Sequence, residues 1–400
     1  MNTCDFLVIG GGIIGINLAR SLKTTFTDAK IIIIEKETEC GWHASGRNSG
    51  VLHAGFYYTP DSLKAKFTRL GNQLMTQYCD DNKIPLNKCG KLVVAKDASD
   101  LLSLDILLKR GRANGVELQD ITEAEARKIE PRVITYERAL FSPTTSSVNP
   151  KLVMDAMRKD AENEGIEIHC GVQYLKNQKN GVALTSAGLY HTGFVVNASG
   201  LYADKIARDF GYSTNYRILP FKGIYLYSDE PAFSIGTHIY PVPDLKNPFL
   251  GVHFTVSAEG KVKIGPTAIP AFWREQYGSS ERFKISEFID ILKRQLGLFM
   301  FSKFDFKKLA LEEIKKYSRP YLVNLASALA KDIKTENFTK FGKPGIRAQL
   351  LNIKEKKLEM DFILEGDKKS MHILNAVSPG FTSSLPFSQY VCDKIKEVLS

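Results

Sequence analysis

The feature that most narrows the fold is a strand, a glycine turn and a helix at the start of the chain. Asp5-Phe-Leu-Val-Ile9 reads as a buried parallel strand. Gly10-Gly11-Gly12-Ile13-Ile14-Gly15 follows at once, and Ile13 to Lys23 has helical periodicity. Lys30-Ile-Ile-Ile-Ile34 is a second β-branched strand, ending on Glu35. Gly10 permits the tight turn, Gly12 lets the backbone approach a pyrophosphate, and Gly15 lets helix and strand pack closely. The helix N-terminus offers free N–H groups and a positive dipole end to phosphates. Glu35, twenty residues after Gly15, is placed to accept hydrogen bonds from ribose hydroxyls. A lone GxGxxG is a weak signal. With strand, turn, helix, strand and acid all in order, it specifies a Rossmann-type βαβ unit that binds a dinucleotide.

Four hundred residues exceed one compact core, so two domains are expected. The longest apolar run, Phe6 to Ala19, is interrupted by three consecutive glycines and by Asn17, too short and too Gly-rich to span a bilayer. No basic segment precedes the first strand, so a secretory signal is not expected. The six cysteines are scattered without a CxxC pair, which reads as reduced thiols in a cytoplasmic protein and no metal site. The net charge is +10, and residues 301–400 contribute eighteen Lys and Arg against twelve Asp and Glu. Such a bias suits anionic lipid, an acidic substrate, RNA or plain solvation. No basic tract interleaved with stacking aromatics is evident, so nucleic acid is not an expected partner.

A fingerprint at residue 5 suits a flavoprotein, and Phe194-Val-Val-Asn-Ala-Ser-Gly200 adds a strand running into a small-residue turn. Ala44-Ser-Gly-Arg-Asn-Ser-Gly-Val-Leu-His-Ala-Gly55, Asn197-Ala-Ser-Gly-Leu-Tyr-Ala-Asp204, Ile239-Tyr-Pro-Val-Pro-Asp244, Pro248-Phe-Leu-Gly-Val-His-Phe-Thr255, Gly345-Ile-Arg-Ala-Gln349 and Asn375-Ala-Val-Ser-Pro-Gly380 are further distinctive segments. On these the chain resembles the L-2-hydroxyglutarate dehydrogenase (oxidase) family, within the FAD enzymes similar to D-amino-acid and glycine oxidases. One departure is Pro220-Phe-Lys-Gly-Ile-Tyr-Leu226, where the family carries arginine and glutamate at the positions of Lys222 and Ile224. Lysine keeps the charge without the planar fork, and isoleucine removes a carboxylate.

The resemblance implies an α/β fold with an α+β second part: a discontinuous FAD-binding domain at 1–88, 141–213 and 342–400, and an antiparallel-sheet substrate domain at 89–140 and 214–341. Leu152 to Asn163 reads as an amphipathic helix, Gly165 to Gly171 leads into a strand, and Ile218 to Tyr227 and Val262 to Thr267 read as strands.

The resemblance places cofactor contacts on Gly10, Gly12, Ile14, Gly15, Glu35, Lys36, Ser45, Arg47, Asn48, Ser49, Val172, Ala198, Gly200, Gly345, Gly380, Thr382 and Ser383. Ser45, Asn48 and Ser49 can donate to phosphate or ring oxygens, and Arg47 can neutralise a phosphate. The 378–383 turn would direct N–H groups at the flavin pyrimidine, with simple N-capping by Thr382 or Ser383 as the alternative. The implied reaction moves a hydride from a substrate C–H to FAD while a base takes the hydroxyl proton. Histidine suits that base, and His53 and His253 are the candidates. Arg347 matches the carboxylate-binding arginine of related amino-acid oxidases. Lys222, Arg274 and Lys64 are candidates for a second carboxylate clamp. Tyr225, with Tyr57 and Tyr240, could supply pocket hydroxyls, although such tyrosines usually pack.

The expected partners are a hydroxy-acid substrate and a quinone or other electron acceptor. The alternative is an amine or amino-acid oxidase on the same fold. Residues 288–316, with Leu296-Gly-Leu-Phe-Met-Phe-Ser-Lys-Phe-Asp-Phe306 flanked by lysines, suggest peripheral contact with the inner face of a cell membrane.

Overall fold

The computed structural model describes residues 2–244, 249–302 and 305–400. The chain divides into two compact units: Met1–Asn48, Pro150–Pro220 and Arg347–Ser400 form the first, and Ser49–Asn149 and Phe221–Ile346 the second.

The first unit is built on a largely parallel sheet. Asn2–Ile9 lies between Gly188–Asn197 and Ile31–Glu35, parallel to both, with Phe6 opposite Phe194 and Ile31. Glu167–Cys170 extends the sheet beyond Ile31–Glu35, and Ser370–Ile373 pairs with the far side of Gly188–Asn197. The run of four isoleucines is buried throughout, as a parallel strand covered on both faces requires. The helix Ile13–Thr25 packs on the helices Pro150–Asn163 and Ser384–Leu399. Its close seat on the first strand needs glycine, since a Cβ on Gly15 would stand 1.9 Å from the Gly10 carbonyl oxygen.

The second unit carries an eight-stranded sheet, ordered Phe338–Phe341, Leu226–Ser228, Val262–Gly265, His253–Val256, His238–Pro241, Lys91–Val94, Arg138–Ser142, Gln119–Thr122. Neighbours are antiparallel except His238–Pro241 with Lys91–Val94. Leu92, Val94, Ile239, Phe254, Val256 and Ile264 join one apolar cluster with Leu322, Val323 and Ala326 of the helix Arg319–Ser327. Because side chains alternate along a strand, Lys91, His238, Tyr240, His253, Thr255 and Lys263 take the opposite face. These too are buried.

The unit bounds and one strand differ from the sequence reading. Residues 49–88 and 141–149 fall together in the second unit, where Val51–Leu52 and Leu86–Asn87 both pair with Ser146–Val148, while 214–220 fall in the first unit and 342–346 in the second. The strand expected from Ile218 to Tyr227 is two strands, Tyr216–Gly223 and Leu226–Ser228. At the break, Ile224 N–H donates to Thr267 Oγ1 and Tyr225 carbonyl accepts from Gly342, so the ladder changes partners there.

Candidate active site

In the first unit the glycine turn forms a cradle. Gly10 has φ +115°, and a Cβ there would meet the Ala198 carbonyl oxygen at 2.6 Å. Gly12 begins the 13-residue helix with no side-chain cap, leaving the N-terminus to backbone N–H groups. Ser45 Oγ accepts the Ile13 N–H at 3.0 Å, which ties the 44–48 turn to that helix end. The buried Glu35 carboxylate is held by N–H donors from Gly11 at 2.8 Å and Glu37 at 2.9 Å, one on each oxygen. It is thereby fixed in orientation, with lone pairs left for hydroxyl donors. A helix N-terminus whose own N-cap residue is glycine, glycines where a Cβ would clash and an oriented acid at the strand end together fit a dinucleotide.

In the second unit the chemistry lies on the polar face of the sheet. His253 Nδ1 is 2.7 Å from the Gly251 carbonyl, which can only accept, so Nδ1 carries the proton and Nε2 is the basic nitrogen. The ring stacks on Tyr240, 3.6 Å between centres. His238 is held neutral: burial, then the fields of Lys91, His53 and Lys263, push its pKa down to about 3. Its Nδ1 accepts the Val256 N–H at 3.1 Å, so the imidazole is committed to the backbone. Burial alone lowers Lys91 to about 7. Burial also lowers Lys263 to about 8, against an opposing field from Glu259.

A family model described as FAD dependent oxidoreductase, DAO, matches residues 5–392. The chain belongs to that family. Curated relatives include L-2-hydroxyglutarate dehydrogenase of Escherichia coli K12, 34% identical across 99% of this chain and 94% of that protein. The mitochondrial L-2-hydroxyglutarate dehydrogenase of Homo sapiens is 32% identical across 98% of this chain and 89% of that protein. Among solved structures, FAD-bound L-alpha-glycerophosphate oxidase of Mycoplasma pneumoniae superposes with a TM-score of 0.78, at 21% identity, covering 99% of this chain and 95% of that one. Glycine oxidase of Geobacillus kaustophilus gives 0.74 at 19% identity, covering 99% and 95%. These two similarities establish the fold.

Within this flavoenzyme the sequence-derived residues fall into distinct environments. Arg47 stacks 4.1 Å over Trp42 and donates from Nε to the Trp42 carbonyl at 2.8 Å. Asn48 donates to the Ala44 and Ser45 carbonyls, so these two side chains brace the turn expected to reach phosphate. Lys36 pairs with Glu37 and lies over Tyr202. Ser49, in the second unit, accepts the Val51 N–H at 3.3 Å. Val172 N–H donates to the Glu35 carbonyl, and Ala198 N–H to that of Ile9. Gly200 has φ +54° and opens a short helix.

Gly380 is essential to its turn, since a Cβ would stand 2.2 Å from the Ala376 carbonyl oxygen. Thr382 and Ser383 are buried, and Ser383 makes no side-chain cap on Ser384–Leu399, which removes simple N-capping as its role. Gly345 opens the strand Gly345–Asn352, and the half-buried Arg347 sits on it within the first unit. His53 and Tyr225 are half-buried in the second unit.

Ile224 is a buried core residue, which accounts for an apolar side chain there. Of the proposed second clamps, Lys222 is half-buried, while Lys64 and Arg274 are buried, Lys64 beside the Tyr58 ring. Sequence reasoning missed Lys91 and Lys263. Lys263 alternates with Val262 and Ile264 like an ordinary solvated strand face and Lys91 stands at the start of its strand, so only the inward tertiary placement marks them.

Proposed function

We propose that this flavoenzyme oxidises L-2-hydroxyglutarate to 2-oxoglutarate and passes the electrons to a membrane quinone. The observation that carries the substrate is the full-length similarity to curated L-2-hydroxyglutarate dehydrogenases from bacteria and animals. Gly10, Gly12, Gly15, Glu35 and the 378–383 turn would hold FAD, which when bound supplies the two-electron acceptor. His253 Nε2 takes the hydroxyl proton as the carbonyl forms. Its proton-bearing Nδ1, anchored on Gly251, keeps the ring in the accepting tautomer. His53 is the second candidate for that proton. Arg347 grips the carboxylate next to the reacting carbon through paired N–H donors.

Anaerobic mixing of the yellow protein with L-2-hydroxyglutarate, its D-isomer, glycine and sarcosine tests this reading. Bleaching by the L-hydroxy acid alone, with 2-oxoglutarate formed, is expected. Bleaching by the amino acids instead would favour the glycine-oxidase-like alternative.

A membrane acceptor is supported by the helices Ile285–Phe301 and Phe306–Lys315. Leu296, Phe299, Met300, Phe301, Leu311 and Ile314 are all exposed on them, and an apolar cleft of about 360 Å³ lies between them and Ile269–Pro270. Phe306 packs inward instead, and Lys303 and Phe304 lie outside the described residues. Apolar groups at the acyl boundary with lysines at lipid phosphates would place the protein on an anionic surface. No helix among the described residues is long and apolar enough to cross a membrane. Flotation with anionic liposomes, lost on adding salt or on changing Phe299 and Phe301 to serine, is the test. A wild type that stays unbound at low salt points to a soluble acceptor.

A further inference from the structure

The polar face of the eight-stranded sheet holds more buried positive charge than its acids balance. Lys91 Nζ has no hydrogen-bond partner among the described residues and lies 4.5, 4.6 and 4.9 Å from the ring centres of Phe56, Tyr57 and Tyr240. Lys263 Nζ donates to the Ser49 carbonyl at 3.1 Å and lies 4.6 Å over the Tyr225 ring. Thr255, directly opposite Lys263 in the strand register, has a buried hydroxyl without a partner among the described residues. The fields of both lysines and His53 reach His238. Glu259 is the acid whose field reaches Lys263, and its carboxylate already accepts from Asn149 at 3.2 Å. An ammonium taken out of water without a counter-ion is costly, and a negative ligand removes that cost.

Position along the strand adds a second argument. His253 pairs with Gly265 and Thr255 with Lys263, so the basic imidazole and the ammonium are two residues apart on one face. Two residues of strand span roughly 7 Å. In 2-hydroxyglutarate the hydroxyl-bearing carbon and the far carboxylate carbon are three bonds apart, a span that side chains converging from those positions can bracket. Lys91 is fully enclosed, whereas Lys263, also buried, has the half-exposed Tyr225 and Ser49 beside it, so Lys263 is the less enclosed of the two cations.

We propose that this face receives the distal carboxylate of the substrate, bound by Lys263 Nζ and Thr255 Oγ1, and that Lys91 reinforces the positive field from behind the Tyr57 and Tyr240 rings. The inference rests on the dicarboxylate reading above and names the group that selects a dianion over a monoanionic hydroxy acid.

The test compares the FAD-loaded wild type with Lys263→Met, Lys263→Arg and Thr255→Val on two substrates: L-2-hydroxyglutarate, and L-2-hydroxypentanoate, which lacks the second carboxylate. Lys263→Met should lower kcat/KM for the dicarboxylate at least about tenfold more than for the monocarboxylate, mostly through KM. Thr255→Val should shift the same ratio less, and Lys263→Arg should recover much of it. Calorimetric binding of glutarate should weaken in parallel. Equal losses on both substrates, or an unchanged ratio, would overturn the assignment. If the wild type oxidises neither substrate, the dehydrogenase reading fails by itself. The glutarate titration then still decides the anion site, because undiminished glutarate binding in Lys263→Met refutes it.

Discussion

Replacing Lys91 by methionine should make the protein more stable, most of all at and below neutral pH. Burial lowers the lysine from its ordinary 10.5 to about 7. A difference of that size corresponds to roughly 5 kcal/mol between charged and neutral forms. The rings of Phe56, Tyr57 and Tyr240 all lie within 5 Å of Nζ, so no water replaces the solvation the ammonium has lost. Methionine of similar length removes that cost at and below pH 7.

The direction with pH follows from proton binding. Between about 7 and 10.5 the unfolded lysine holds a proton that the folded one has released, so wild-type stability rises with pH across that window. Below about 7 both states are protonated and the penalty is constant. Methionine has no such dependence, so its advantage should be largest at and below pH 7 and shrink towards pH 10. Thermal unfolding of both proteins at several pH values measures the gap, and other titrating groups cancel in the difference. A gap that stays constant from pH 7 to 10, or a methionine variant less stable than wild type, would refute the argument.

His253→Asn should slow flavin reduction roughly 10²–10⁴-fold with the oxidised spectrum retained; normal rates in stopped flow would transfer the base role to His53. Gly15→Ala should abolish or sharply weaken FAD retention, because the new methyl would stand 1.9 Å from the Gly10 carbonyl oxygen; a fully yellow purified variant would contradict this. Arg347→Lys should raise KM by roughly ten- to a hundredfold, since losing a paired, charge-assisted contact costs roughly 1.5–3 kcal/mol. Unchanged substrate kinetics there would leave Arg347 a structural role.

Local chemistry made the first unit readable from sequence. The βαβ unit, its glycines and Glu35 are contiguous, and each depends on backbone geometry that few residues other than glycine tolerate. The strand Ile31–Glu35 and the helix Ile13–Thr25 fall within two residues of the expected bounds for the same reason. The break at Ile224 and Tyr225 was not legible, because both residues suit a strand and the interruption is imposed by Thr267 and Gly342 from distant parts of the chain. Arg47 and Asn48, which the resemblance placed along the phosphates, also hydrogen-bond nearby carbonyls, and Arg47 lies over the Trp42 ring, bracing contacts visible only in three dimensions.

The candidate site divides along the same line. The sequence by itself determined the dinucleotide cradle and the family, and named His53 and His253 as base candidates, because those signals sit in short, distinctive segments. Tertiary structure decided which face of Lys91–Val94, His253–Val256 and Val262–Gly265 is apolar and which carries the lysines. Alternation alone assigns a charged strand face to water. Packing from Phe56, Tyr57 and Tyr240 takes Lys91 out of water instead, and burial is what turns an ordinary lysine into a group that responds to an anion.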